Sequence, residues 1–451
     1  MRQRLAIAGG RPTVPEGLKV RWPLISREDK EAAMRTLDEE VLHGPYVPEV
    51  TALERDFAAY IGQRYCIATN SGTAALHMAL AAAGIGPGDE VIVPAFTFLA
   101  TASAVLHHNA VPVFVDIDPR TFNIDPGRIP ERISPRTKAI VPVHIHGLPA
   151  DMDAILAIAR QHKLVVVEDA CQAPGAEYKG VKVGNFGDLA AFSLNVTKNL
   201  PGIEGGLLVT GSKEYRDSAN MLRMFGEDIR AGEVRRYNAY GMGWMYRTHG
   251  MPAAIARRQL RRLDSYNATA QRNAAYLTEQ LADLPGIVPP HVPADRTSVF
   301  HKYRVRLDPR AVGLDVDREA FRGAVADALR AEGVDVVRWQ TRPVPAQTLF
   351  QLKEGYGKGC PWSCLHYGRE ISYRAEDYPE TVRLLADSLV ICSEAYPIYA
   401  QPLELMRRYV DGICKVLDHI EEVVDRSRAP AKPAAKNRAR RAAVPARRRS
   451  R

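Results

Sequence analysis

A chain of 451 residues with 46% hydrophobic content is long enough for two or three domains, or for one large α/β unit with a smaller appendage, and is neither a tail nor a linker. Its six cysteines are sparse and irregularly spaced, the opening MRQRLAIAGGRPTVPEG lacks a long apolar core, and no apolar run approaches the roughly 18 to 20 residues of a membrane-spanning helix; an integral membrane protein is excluded and a reduced, cytoplasmic location is expected. The net charge of +9 sits at one end: the last 26 residues hold eleven Lys or Arg and no Asp or Glu, leaving the rest of the chain at −2.

An N-terminal arm over about residues 1–30 leads into a polar, helix-like segment from about Glu28 to Leu42. ATNSGTAALHMALAAAGIGPGDEVIVP then reads as strand end, turn, Ala-rich helix, glycine loop and strand. AVPVFVDI, AIVPVHI and KLVVVEDA are short β-branched runs, each followed by turn residues and a helical stretch, which predicts parallel strands joined by helical crossovers, a doubly wound α/β sheet. A long helical pattern from about Pro252 to Leu284 closes a large domain over 31–284, and a different mixture of strands and helices over 285–425 predicts a smaller C-terminal α/β domain. The tail, RSRAPAKPAAKNRARRAAVPARRRSR over 426–451, has almost no large apolar side chain with which to offset the entropy of ordering, and is read as disordered. Such a run can bind nucleic acid or another anionic partner, although a solvated extension has the same composition.

Ser71, Gly72 and Thr73 stand at the mouth of the Ala-rich helix, where free backbone N–H groups and the positive end of the dipole attract an anion. The same trio is also an ordinary helix cap. Neither the spacing of a triphosphate loop nor that of a dinucleotide fold is present, so a smaller phosphorylated ligand fits better. Asp169 follows LVVVE, so its carboxylate emerges at the C-terminal edge of a strand, where open α/β sheets bind ligands. There it can hold a pyridinium nitrogen protonated, or simply cap the next segment. Gln172 can donate to a phenolate oxygen beside it, and Phe98, after VIVP, can stack on a flat ring or pack in the core. Lys198, in FSLNVTKNLPGIEGG, offers an amine for a Schiff base with an aldehyde. A phosphate seat, an acid for a ring nitrogen and an amine, arriving in that order on one sheet, are the parts needed to hold pyridoxal 5'-phosphate.

With NSGTAALHMAL, PAFTFLATASAV, VPVFVDIDPRTFNID, VEDACQAPGAEYKG and AFSLNVTKNLPGIEGGLLVT in that order, the chain resembles the sugar aminotransferase family called DegT/DnrJ/EryC1/StrS, of pyridoxal-phosphate fold type I. The resemblance implies Lys198 as the covalent anchor of the cofactor and then the proton shuttle, with Asp169 on the ring nitrogen. It also implies Gln172 at the ring hydroxyl, Phe98 on the ring face, and Gly72, Thr73 and Ser193 on the phosphate. It further implies amino transfer in two half-reactions, from an amino-acid donor (glutamate or glutamine) to a keto-sugar or keto-cyclitol, by a homodimer. The opening LAIAGGRPTVPEG and Trp22-Pro23 look most like members serving natural-product pathways.

Departures from the pattern bear on the substrate. GWMYR carries Met245 where the family usually has an Asn that reaches the neighbouring subunit's phosphate, and a thioether cannot donate that bond; the Trp244 indole is the candidate replacement, and Trp244 and Arg247 are also candidates for binding substrate. Asn195 stands where many members have His, and TRPVPAQTLFQLKEGYGKGCPWSCLHYG departs from the loop of sugar-nucleotide enzymes, leaving Trp339, Arg342 and Trp362 as candidates for shaping the substrate pocket. Cys360 and Cys364 lack the partner pair of a zinc site, so no metal is expected. His144 and His146 lie at a strand end, near the site or packed within the core. A sugar dehydratase of the same family is disfavoured by Lys198, since such members carry His there; a pyridoxal-phosphate lyase or aldolase has the same cofactor residues, and a nucleic-acid binder is suggested only by the tail.

Overall fold

The computed structural model describes residues 3–38 and 46–428. The large domain is built on a seven-stranded sheet of β1 (Tyr65–Thr69), β2 (Glu90–Pro94), β3 (Val111–Val115), β4 (Thr137–Ile140), β5 (Val165–Asp169), β8 (Leu189–Ser193) and β9 (Gly206–Thr210), where β6 (Glu177–Tyr178) and β7 (Val181–Lys182) form an intervening hairpin. The spatial order is β1-β9-β8-β5-β4-β2-β3. Only β9 runs against its neighbours, pairing antiparallel with β1 and β8, while the other pairings are parallel. EVIVP and VPVFV are buried at every position, as strands covered by helices on both faces must be. The helix Gly72–Ala82 is apolar nearly all round and buries eight of its eleven residues, which fits a helix enclosed within the domain.

A second sheet, β10 (Ile287–Val288), β12 (Tyr303–Leu307), β14 (Ser388–Ile391) and β13 (Val336–Val337), is wholly antiparallel in the order β10-β12-β14-β13, and β11 (Arg296–Thr297) pairs with β6 of the large domain. Its core takes in more than the stretch after 285: Leu5, Val14 and Trp22 from the N-terminal arm, and Tyr266, Leu277 and Leu281 from the helix Leu263–Leu281, pack with Phe321, Leu389 and Tyr409. Conversely, Val344, Phe350, Trp362 and Tyr373 join the core of the large domain with Leu76, Val93 and Phe114. The segment between β13 and the helix Pro379–Asp387 thus returns to the large sheet, because its aromatic residues find an apolar face there. The last helix, Ile420–Arg428, extends three residues into the stretch read as tail; the rest of that stretch lies outside the described residues.

Beneath the sheet edge lies a buried carboxylate. Alternation along β5 points Glu168 away from the face of Asp169, and its oxygens accept from the backbone N–H groups of Gly184, Phe186 and Gly187 at 2.7–2.8 Å and from His144 Nε2 at 2.9 Å. His144 Nδ1 accepts from Ala150 N–H at 3.0 Å, so the ring proton is on Nε2 and is donated to Glu168. His144 is therefore a packed histidine that pins the 184–187 turn. Burial pushes the Glu168 carboxyl up, but the bonds from His144, Gly187 and Gly184 outweigh it and hold it below its ordinary range. A lowered folded-state value means stability that is complete above about pH 4.3, the ordinary Glu value, and is lost as pH falls through the depressed one. Glu168→Ala strands three backbone donors and is expected to cost about 3–5 kcal/mol in urea unfolding at pH 7, with the difference from the parent narrowing in acid; a loss under about 1 kcal/mol contradicts the assignment.

Candidate active site

The C-terminal ends of β1, β5 and β8 open into one cavity of about 310 Å³, lined by Ser71, Gly72, Thr73, Phe98, Asp169, Gln172, Ser193 and Lys198 from the large domain and by His301, Trp339 and Glu394 from the other side. All seven residues assigned to the cofactor, and Trp339, are thus brought together. The glycines explain how the turns come so close. A Cβ on Gly206, the first residue of β9, would lie 2.2 Å from Ser71 O, and one on Gly72 would lie 2.8 Å from Ser193 Cβ and 3.1 Å from Cys171 Sγ. Only glycine at these points lets the mouth of the helix lie over the ends of its neighbouring strands.

Ser71 caps that helix, its Oγ accepting from Ala74 N–H at 3.1 Å. The N–H groups of Gly72 and Thr73 in the first turn remain without acceptors among the described residues, beside the Ser193 hydroxyl, which is the donor set an anion requires. Asp169 is buried; Thr101 donates its hydroxyl to one carboxylate oxygen at 2.7 Å and Cys171 N–H approaches the other at 3.2 Å. Two bonds leave lone pairs for a further donor such as a protonated ring nitrogen. Phe98 presents 58% of its surface, an exposure that leaves a ring face free for stacking. A phosphate seat, an acid and an open aromatic face, spaced along one cavity, fit pyridoxal phosphate.

Lys198 sits in a turn after β8, its N–H bonded to Asn195 O at 2.9 Å. That turn is clamped by distant residues: the Trp22 indole donates to Val196 O at 2.8 Å and the Tyr399 hydroxyl to Thr197 O at 2.9 Å. Asn195 accepts from Thr197 and donates to Glu204 at 2.7 Å; it holds the turn and the cavity rim. The Lys198 amine itself has no hydrogen-bond or ion-pair partner among the described residues. Asn199 donates to Val299 O and Asn267, so its oxygen accepts from His301 Nδ1–H at 3.2 Å. His301 therefore turns an unprotonated Nε2 to the site, and burial, with the charges of Lys198 and Lys302, keeps it neutral. Lys302 is buried over the Trp339 ring at 5.2 Å and paired with Glu394 at 2.9 Å; burial brings it down to about 8 against the pull of Glu394. Trp22, Thr101, His301, Lys302, Glu394 and Tyr399 were not marked by any spacing in the sequence.

Two assigned substrate residues fall elsewhere. Trp244 and Arg247 do not line this chain's own cavity: Trp244 stacks on Tyr246 and packs against His77, and the backbone bonds Trp244 N–H to Leu222 O, Tyr246 N–H to Arg223 O and Asn70 N–H to Tyr246 O hold their loop beside the mouth of the helix Gly72–Ala82. The Trp362 indole donates to Tyr373 in the core, and Arg342 is exposed; neither shapes the cavity. All six cysteines are free, and no group of three or more His, Cys, Asp or Glu among the described residues is arranged to hold a metal.

Residues 23–376 match the model of the DegT/DnrJ/EryC1/StrS aminotransferase family. GDP-perosamine synthase of Caulobacter vibrioides is 44% identical over 259 residues, 57% of this chain and 69% of that one. L-glutamine:2-deoxy-scyllo-inosose aminotransferase of Streptoalloteichus tenebrarius is 38% identical over 348 residues, 73% of this chain and 78% of that one. The crystal structure of 3-amino-5-hydroxybenzoic acid synthase superposes with a TM-score of 0.79 at 28% identity, over 91% of this chain and all of that one.

Proposed function

We propose that this chain, which belongs to the DegT/DnrJ/EryC1/StrS aminotransferase family and is a pyridoxal-phosphate-dependent aminotransferase, moves an amino group from glutamate or glutamine to a keto-sugar or keto-cyclitol in natural-product or glycan biosynthesis. The observation that carries this is the convergence of Lys198, Asp169 and the Ser71–Thr73 turn in one cavity. When bound, the cofactor supplies an electron-poor ring that absorbs carbanion charge. Gly72, Thr73 and Ser193 hold its phosphate, Phe98 covers the ring, Gln172 donates to the ring oxygen and Asp169 keeps the ring nitrogen protonated. Lys198 anchors the cofactor and, once released by the donor, carries the proton from the donor carbon; in the second half-reaction it returns a proton to the carbon of the acceptor.

The homodimer is part of the proposal. The loop that carries Trp244 exposes Val234, Tyr237, Tyr240 and Met242, an apolar set suited to burial against a second copy. Cytoplasmic residence is supported by the six free thiols, and no helix among the described residues is long and apolar enough to cross a membrane. The basic tail over 426–451 is read first as a solvated extension and second as a seat for an anionic partner, and a salt-sensitive gel shift lost on truncation at 425 decides between them. The acceptor is tested by converting the enzyme to its amine form and screening keto-sugars, with and without a nucleotide, and keto-cyclitols for return of the visible cofactor band. A full panel that returns no band, together with no keto acid released from glutamate or glutamine, overturns the assignment.

A further inference from the structure

Two buried hydroxyls stand behind the carboxylate assigned to the ring nitrogen. Thr97 and Thr101, four residues apart in TFLAT, are 0% and 1% exposed, and Thr101 lies in the first turn of the helix Ala100–Leu106. Their hydroxyl oxygens are 2.8 Å apart, and Thr101 Oγ1 lies 2.7 Å from Asp169 Oδ2. An ionised carboxylate only accepts, and a hydroxyl has a single proton to give. The Thr101 proton goes to Asp169, so toward Thr97 its oxygen accepts. Thr97, whose hydroxyl has no other partner among the described residues, must then be the donor. Both bonds therefore have one direction: Thr97 to Thr101 to Asp169.

The segment that carries this relay is itself held. Gln340 donates its side-chain amide to Thr97 O, and Thr101 N–H donates to Phe98 O at 3.2 Å. The same five residues thus present the Phe98 ring to the cavity and both hydroxyls to the back of Asp169. Neither Thr97 nor Thr101 lines the cavity, so neither is placed to touch a substrate. The other carboxylate oxygen accepts from Cys171 N–H at 3.2 Å. The Cys171 thiol, pushed up by burial and then by the Asp169 charge, lies 3.7 Å from Ala191 O and is a weak donor. Thr101 is the strong side-chain donor to Asp169.

We propose that Thr97 and Thr101 are positioning residues, a one-way relay onto Asp169 that keeps the proton shared between carboxylate and cofactor on the ring nitrogen. The two bases compete for that proton. A hydrogen bond given to the carboxylate stabilises its charged form and lowers its affinity for the proton, which then stays with the ring; a second hydroxyl donating to the first strengthens that bond. The inference rests on the proposed role of Asp169.

The direction of the relay is read from a neutron structure of the deuterated full-length protein. Expected is the Thr101 deuteron on the line to Asp169 and the Thr97 deuteron on the line to Thr101; a Thr101 deuteron turned toward Thr97 overturns the proposal. Its effect is read from the nitrogen-15 signal of the ring in protein loaded with ring-labelled pyridoxal phosphate. Thr101→Val is expected to move that signal toward that of an unprotonated pyridine and to lower kcat about tenfold, with the KM values of donor and acceptor little changed. Thr101→Ser, which keeps the hydroxyl, should stay near the parent in both. Thr97→Val should move both readouts the same way by less, about two- to threefold in kcat, and should add nothing in a Thr101→Val background. In an Asp169→Asn background Thr101→Val should have no further effect on either. A ring signal that Thr101→Val leaves in place, or an effect that persists without the Asp169 carboxylate, overturns the relay. Should Thr101→Val not fold, Thr97→Val and the neutron structure decide. A parent whose bound ring is itself unprotonated removes the assigned role of Asp169 instead, and the neutron structure still judges the direction of the two bonds.

Discussion

Lys198→Ala is expected to lower turnover by about 10⁴-fold or more and to abolish the visible band of bound pyridoxal phosphate, because one side chain supplies both the covalent anchor and the proton transfer. The fold should not suffer. The Lys198 amine has no hydrogen-bond partner among the described residues, and its charge opposes the protonated forms of His301 and Lys302, so removing it relieves repulsion. The turn itself is held by Trp22 and Tyr399 through the Val196 and Thr197 carbonyls, contacts that alanine at 198 leaves untouched. A small exogenous amine should restore part of the turnover by carrying the proton. Steady-state assays and absorbance spectra of the loaded protein check this alongside a thermal melt; a Lys198→Ala protein that keeps both the band and the rate ends the assignment.

The sheet and the cofactor residues were legible because they are local: a β-branched run predicts its strand, and the residue after the run must emerge at the strand's end. Asp169 and the Ser71–Thr73 turn follow from that rule, while Ser193 came from the family resemblance alone. The clamps were not legible, since Trp22 and Tyr399 reach the lysine turn from 174 and 202 residues away. Arg304 was hidden for another reason. Alternation puts Arg304 and Arg306 of YRVRL on one face of the strand, and nothing in that spacing announces that Arg304 is buried on His146 and Arg306 held by Asp387. Trp244 and Arg247 were placed by their motif, which gives their spacing and not whether their loop enters this chain's own cavity. The core role of Trp362 depends on the return of its segment to the large sheet, which no periodicity announces.

Asp169→Asn tests the electronic half of the chemistry while leaving the shape of the site nearly unchanged. The carboxylate accepts from Thr101 and Cys171, and an amide accepts at only one of its two ends. The NH2 end must therefore face either one of those donors or the ring nitrogen. In neither arrangement does the residue hold a proton on that nitrogen, and the ring loses the positive charge that draws electrons from the reacting carbon. Turnover is expected to fall by about 10²–10³-fold, the scale on which one preorganised electrostatic contact is lost. The KM for donor and acceptor should move far less, since Asp169 meets the cofactor and not the substrates. Proton abstraction should also become slower relative to other steps, so the deuterium isotope effect at the donor α-carbon is expected to rise. Unfolding should stay within about 1–2 kcal/mol of the parent, the worth of one neutral hydrogen bond. An Asp169→Asn enzyme within about fivefold of the parent in kcat, well short of the loss that contact commands, with an unchanged isotope effect, places the acid for the ring nitrogen elsewhere.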